Sequence, residues 1–217
     1  MFLLPTRRDL TNLRALSVLA ATAGLIQVAD TTVLVVAGRR LGPVTAHSTV
    51  QSLRSALGIR NVQVDYLDVG EGTTEPGAVL FPTEPRRRAY VYWRDTIQFR
   101  SPSRIAVRDS GTAWTLPVAV TIGTSLLELE RLNGRPFRFS GFGWDYAGRV
   151  RDWNGGKLTG ALGPGFDLRI TLRETCQPTL SESSLQQVFG EQDVWSSNPV
   201  ALALCPVVEE LWLGIPP

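Results

Sequence analysis

Three times along the chain a leucine precedes a glycine by five residues inside a short amphipathic pattern. The copies are Leu53 to Gly58 in TVQSLRSALG, Leu129 to Gly134 in TSLLELERLNG, and Leu185 to Gly190 in SSLQQVFG. Each opens on Ser or Thr, which can cap a helix N-terminus, and closes on a glycine suited to the left-handed residue after a helix. Short helices are thus started and stopped repeatedly, none longer than about three turns, and a helical bundle is not expected. The segments after the first two copies read as runs of strands. The expected fold class is α+β and mostly β, built from tandem helix-plus-antiparallel-meander units.

The expected boundaries are an export signal or anchor over residues 1–29, a first helix-plus-meander unit over 30–115, and a second unit over 116–217 with a C-terminal helix and a closing strand. In the first unit TTVLVVAG reads as a strand, and Gly42-Pro43 as the turn into the first helix. Val62 to Val69, Ala78 to Phe81, Ala89 to Trp93 and Arg104 to Arg108 then form a meander. Its breaks fall at Gly70-Glu71-Gly72, Pro76-Gly77, Pro82 to Pro85 and Ser101-Pro102. In the second unit four strands are expected in FRFSGFGW, GRVRDW, KLTGAL and DLRITLRE. The Asn154-Gly155 pair should make a hairpin between the second and third, since both central residues of the favoured turn need positive φ. Arg149, Arg151 and Trp153 alternate with Val150 and Asp152, so one side of that strand should face solvent. The third copy lacks a meander. The apolar run ALALCPVVEELWLGI suggests a final buried strand that closes the sheet of the second unit.

The 217 residues, 43% apolar and 19% charged, suffice for a real core. A formal charge of +2, from 22 basic and 20 acidic side chains, gives no broad electrostatic reason to expect nucleic acid as a partner. Arg86, Arg87 and Arg88 lie among prolines and read as a solvated turn, with an anionic binding patch as the alternative. The first thirty residues differ in kind. Arg7, Arg8 and Arg14 precede the uncharged stretch from Ala15 to Ala29, the pattern of a basic n-region and an apolar h-region. Thr6-Arg7-Arg8-Asp9-Leu10 is similar to a twin-arginine translocation signal, without its usual lysine. A cleaved signal and a retained anchor are both consistent, and both end outside the cytoplasm: periplasmic, extracellular or membrane-anchored. Membrane contact is expected only through this segment. In an oxidising compartment Cys176 and Cys205 could form one disulfide, and two buried thiols are the alternative.

Trp93, Trp114, Trp195 and Trp212 sit in or beside strand-like runs and are expected in the core. Trp144, Asp145 and Tyr146 are better binding candidates, because they occupy a turn flanked by Gly141, Gly143 and Gly148, where another backbone or a ligand can approach closely. The competing reading is a structural corner, with Asp145 capping the turn over packed rings. Glu71, between two glycines, is a loop carboxylate that could pair with Asp145 as carboxylates do in glycoside hydrolysis. There is no GxSxG elbow and no phosphate-binding GxxxxGK[ST], and His47 is the sole histidine. Hydrolases of the triad kind, a zinc or redox centre, and a bound cofactor are therefore not expected.

The words Asn133-Gly134-Arg135-Pro136-Phe137, then Gly141 to Tyr146, then Trp153-Asn154-Gly155-Gly156 carry a family resemblance. The order NGxPF, GFGWDY, WxGGxL, preceded by GEG at Gly70 to Gly72 and FP at Phe81-Pro82, resembles bacterial exported proteins, often predicted lipoproteins, that have no assigned activity. The resemblance covers most of the mature chain and implies a location, not a chemistry. The chain has no cysteine near its N-terminal segment to accept a lipid, which argues against that form of tether. In element order the chain is also similar to the repeats of β-lactamase inhibitor protein and to small lipoproteins of outer-membrane assembly, which hold other proteins on an exposed sheet. What these features imply together is an exported envelope protein of non-catalytic, protein- or ligand-binding character, with an envelope protein as the expected partner. The alternative is an envelope enzyme acting on sugar or peptidoglycan through Glu71 and Asp145.

Overall fold

A computed structural model describes residues 33–114 and 116–217, so the expected export segment lies outside the described residues. Among the described residues no helix is long and apolar enough to cross a membrane. The described residues begin with a two-stranded ribbon, β1 (Val35–Val36) and β2 (Arg40–Leu41), and pass through Gly42-Pro43 to α1 (Val50–Leu57). Thr49 caps α1 reciprocally: its hydroxyl accepts from Ser52 N at 2.9 Å, and Ser52 Oγ accepts from Thr49 N at 2.9 Å. Val50 and Leu53 are the buried residues of this helix. Burial of each side chain is worth about 2 kcal/mol.

Four strands then run as a meander: β3 (Val62–Gly70), β4 (Thr73–Leu80), β5 (Ala89–Asp95) and β6 (Arg100–Val107). Pro76-Gly77 and Ser101-Pro102, expected as breaks, lie inside β4 and β6. Each proline sits where the ladder tolerates a missing donor. Pro76 lies beyond the part of β4 that pairs with β5, and Pro102 lies at the irregularity where Trp93 opposes it.

Next comes α2 (Leu126–Asn133), capped by Ser125 and ended by Gly134 at φ 80, as its Leu-x4-Gly pattern predicts. It is followed by β7 (Arg138–Ser140), β8 (Val150–Asp152), β9 (Asp167–Arg173), the single-turn α3 (Glu182–Leu185), β10 (Asp193–Trp195), α4 (Pro199–Ala203) and β11 (Val207–Gly214). The main sheet has the order β3-β4-β5-β6-β11-β9, and a second, three-stranded sheet has the order β10-β7-β8; both are antiparallel. The fold is thus α+β and mostly β.

Two expectations for the second half are corrected. The strands after α2 do not form one meander but divide between the two sheets, and β11 does not close a sheet of its own half. It inserts between β6 and β9 and joins both halves of the chain in one ladder. The Asn154-Gly155 turn exists, with both residues at positive φ and Gly156 N donating to Trp153 O at 3.0 Å. The segment after it is a series of turns rather than a strand, and β8 pairs with β7 instead. The reason is Asn133, almost fully buried at the end of α2. Its amide donates to Arg135 O and Trp153 O at 2.9 Å and accepts from Leu158 N at 3.2 Å, which commits the 157–162 backbone to the helix end.

One large core lies against one face of the main sheet. Val91, Ile105, Val107, Ile170, Leu172, Leu211 and Leu213 project into it, covered by α1, α2, the small sheet and the rings of Trp114, Phe137, Phe139 and Phe142. The other face carries only the small cluster of Leu67, Val79, Tyr92 and Ala106.

Candidate functional site

Strand alternation places the site. In β5 Ala89, Val91 and Trp93 enter the core, so Tyr90 and Tyr92 stand on the opposite face. By the same parity β6 presents Arg104, Ala106 and Arg108 there, β11 presents Glu210, Trp212 and Gly214, and β9 presents Arg169 and Thr171. Register brings them side by side: Tyr92 opposes Arg104, Ala106 opposes Trp212, and Trp212 opposes Arg169. Tyr92 and Trp212 stack with centroids 5.4 Å apart, and the Arg104 guanidinium lies 4.1 Å from the first ring and 4.6 Å from the second. Arg108 lies over Tyr90 at 4.8 Å. The open face is therefore surfaced by guanidinium groups on aromatic rings, an arrangement that both planar faces of Arg favour.

Hydrogen bonds and ion pairs fix these groups. The Tyr92 hydroxyl donates to Asp68 O at 2.7 Å and accepts from Arg108 Nη2 at 2.7 Å. Arg108 Nε lies 2.6 Å from Glu210, and Arg104 Nη2 lies 3.4 Å from Glu75. Burial raises the Glu210 carboxyl above its ordinary value, opposed by Arg108. Burial acts on Arg108 in the lowering direction, but Glu210 and the two tyrosines outweigh it and raise the guanidinium. Burial and the Tyr92, Glu75 and Glu210 partners contend at Arg104, where burial prevails with help from the positive charge of Arg169 and lowers it.

The wall of the cleft is the loop after β7. Gly148 seats it: its N donates to Ser140 O at 3.0 Å, its O accepts from Leu172 N at 2.8 Å, and Arg149 bridges to Thr171. A Cβ at Gly148 would lie 1.8 Å from Leu172 O, so only glycine lets the loop lie on β9 this closely. Gly141 makes a similar approach to Gly190 O, where a Cβ would lie 2.6 Å away. The glycines flanking the loop thus admit the protein's own backbone. Trp144 is half-buried, donates from Nε1 to Gly141 O at 2.8 Å and meets the Tyr146 ring edge-on at 5.3 Å. Asp145 is exposed. Tyr146 reaches across to the β3–β4 turn, where its hydroxyl donates to the carboxylate of Glu71, a residue at φ 54. That hydrogen bond is the main cause of a raised Tyr146 hydroxyl pKa. Trp144, Tyr146 and Glu71 are thereby brought together, and Asp145 stands on the same rim.

Two cavities of about 370 and 450 Å³ lie between this wall and the sheet. They share Val69, Tyr146, Arg149, Thr171 and Trp212 and form one cleft. The first end adds Arg104 and Arg169, and the second adds Asp68, Arg108, Asp145, Glu209 and Glu210. The chemistry on offer is recognition: guanidinium forks, aromatic faces and hydroxyls.

The tryptophans divide. Trp93 and Trp114 are core residues, at 3% and 1% exposure, whereas Trp195 is 45% exposed and Trp212 lies half-buried in the cleft, against the expectation that all four pack inside. Arg87 lies over Phe81 at 3.7 Å and pairs with Glu84, and Arg88 pairs with Asp109 at 2.8 Å, so two of the three basic residues serve the fold. Cys176 and Cys205 form a disulfide that ties the chain after β9 to the start of β11. Among the described residues no three His, Cys, Asp or Glu side chains group as metal ligands. No contiguous motif marks the arginines of the cleft. The signal for them is the period-two pattern RIAVR, LRITLR and EELWLG, in which polar and aromatic residues alternate with core residues. No protein-family model, curated protein or solved structure matches this chain.

Proposed function

We propose that this is an exported, non-catalytic binding module of the cell envelope, whose binding surface is the open face of the main sheet and the Trp144–Tyr146 loop that walls it. One observation carries the reading. A sheet with a complete core on one side presents on the other an aromatic and guanidinium surface inside a formed cleft. A guanidinium cannot deprotonate in this setting, so such groups suit recognition better than proton transfer. The export half of the reading rests on Arg7, Arg8, Arg14 and the apolar stretch from Ala15 to Ala29.

The test is capture from envelope extract by the purified protein, with Tyr146→Ala as the cleft variant and Trp195→Ala as a control on the other sheet. N-terminal sequencing of the chain recovered from cells accompanies it. The expected outcome is a species retained by wild type and Trp195→Ala and lost from Tyr146→Ala. An equal catch from all three sinks the cleft as the surface, and a cytoplasmic product beginning at Met1 sinks export.

A second reading, an envelope enzyme acting on sugar or peptidoglycan, is favoured by the convergence of Glu71 and Asp145 on one rim. It needs their carboxyls about 5–9.5 Å apart across the scissile bond. On that reading Glu71→Gln abolishes release of reducing ends from peptidoglycan.

A further inference from the structure

One side-chain hydrogen bond joins the two banks of the cleft. The Tyr146 hydroxyl, on the loop between β7 and β8, donates to the Glu71 carboxylate in the turn between β3 and β4. Asp68, Val69 and Gly70 on the turn side and Asp145, Tyr146 and Ala147 on the loop side line the same cavity of about 450 Å³, so the bond spans that end of the cleft. Resting on the binding-module reading above, we propose that Tyr146 and Glu71 form a clasp, and that a ligand reaches the floor of the cleft when the clasp opens.

The build of the two banks supports a clasp that opens while its supports stay in place. The loop is fixed at both ends: Gly141 N donates to Gln192 O and Phe142 N to Val188 O, each at 2.8 Å, and Gly148 lies against the Leu172 backbone. Its tip is held differently. The Tyr146 ring meets Trp144 and Arg149 of its own loop, at 5.3 and 4.7 Å, while its hydroxyl reaches across to another element. On the opposite bank Glu71 sits at φ 54 between Gly70 at φ 100 and Gly72 at φ 70. A Cβ at either glycine would find nothing within 4 Å, so the turn stands clear of its surroundings. A left-handed glutamate is unfavourable, and its bond to Tyr146 offsets that cost in the closed form. The bond is exposed, so water competes for both partners and opening does not require unfolding. Tyr146 also lines the 370 Å³ end, and an occupant of either end therefore lies beside the clasp.

The test measures access to the floor without any ligand. Thr171 lines both cavities on β9, and Cys176 and Cys205 are bonded to each other, so Thr171→Cys introduces a single free thiol at the floor. Its rate of labelling by N-(1-pyrenyl)maleimide, a bulky uncharged reagent, is measured in the purified protein and divided by the rate in urea. Glu71→Ala and Tyr146→Phe are each added to this parent, with circular dichroism and urea midpoints confirming the fold. Tyr146→Phe keeps the ring that walls the cleft and removes the hydroxyl alone. Each should raise the rate by five-fold or more, and the two together should be no faster than either, because both remove one bond. Rates unchanged in both single variants, or effects that multiply in the double variant, overturn the proposal. If the rates are unchanged while Tyr146→Ala still abolishes capture from the envelope, the clasp falls and the binding module stands.

Discussion

Replacing Gly148 by alanine tests whether the cleft wall is seated by close backbone approach. Gly148 lies at φ +67, where an L side chain costs roughly 1–2 kcal/mol. The new Cβ would also meet Leu172 O at 1.8 Å, Leu172 C at 2.7 Å and Leu172 N at 3.0 Å. These are backbone atoms of a sheet strand and cannot swing aside as a side-chain tip would. Relief therefore requires the loop to lift from β9, which breaks the 2.8 Å bond from Leu172 N to Gly148 O, worth about 0.5–1.5 kcal/mol net. With the packing lost beneath Arg149, the total comes to about 2–4 kcal/mol, a fall in urea midpoint of about 1–2 M at a slope of about 2 kcal/mol/M. Gly160→Ala isolates the first contribution, because Gly160 has φ +69 and its Cβ would find nothing within 4 Å. Urea unfolding of the two variants beside wild type, with unchanged slopes, should show Gly148→Ala losing at least twice as much. Equal losses from the two, or a loss below about 1 kcal/mol at Gly148, would refute the close-approach argument.

Three further outcomes follow from the same geometry. Asn133→Ala removes the donor to Arg135 O and Trp153 O and the acceptor for Leu158 N. At about 1–3 kcal/mol for each buried group left unpaired, a loss of about 3 kcal/mol or more is expected in urea unfolding. A loss under 1 kcal/mol would show that the amide does not hold these segments. The raised Glu210 carboxyl binds its proton more tightly folded than unfolded, so its contribution to stability is full below the ordinary glutamate value, about 4.3, and is lost as pH rises through the raised folded value. Glu210→Gln should flatten that decline in urea midpoints between pH 4 and 8, and parallel curves would contradict it. The Cys176–Cys205 bridge closes a 29-residue separation, so Cys176→Ser, Cys205→Ser should cost about 3–4 kcal/mol. A double variant as stable as the oxidised protein would show that the loop is already constrained.

The parts of the fold legible in the sequence are those whose signal is local. Thr49 and Ser125 cap helices because a hydroxyl acts within three residues, and the Gly70–Gly72 turn joins β3 to β4 because its constraint is local backbone geometry. The errors arise where a distant partner overrides a local rule. Gly77 reads as a turn glycine, yet it lies in β4 because a Cβ there would meet the Leu67 side chain at 2.3 Å across the ladder. The 157–162 run alternates like a strand, yet Asn133 claims its first amide groups. The words NGxPF, GFGWDY and WxGG have a physical basis that is largely architectural. Asn133 reaches the Trp153 and Leu158 backbone, Gly156 leaves room for the amide, Phe137 packs on Trp153 at 5.0 Å, and Trp144 donates to Gly141 O.

The cleft follows the opposite logic, because it has no contiguous word in the chain at all. Arg104, Arg149, Arg169 and Trp212 come from three strands of the main sheet and one loop, and no window of twenty residues contains more than one of them. Each strand carries only a two-residue alternation, whose local content is that polar residues share a face. What makes that face one surface is the insertion of β11 between β6 and β9, which sets Trp212 between Ala106 and Arg169 in a single row. That insertion in turn depends on the last strand meeting two edges far apart in sequence, and no local preference states it. The order of strands, rather than any motif, therefore creates the site, and substitutions that disturb β11 pairing should remove binding and the sheet together, while Arg149, on the loop, can be changed alone.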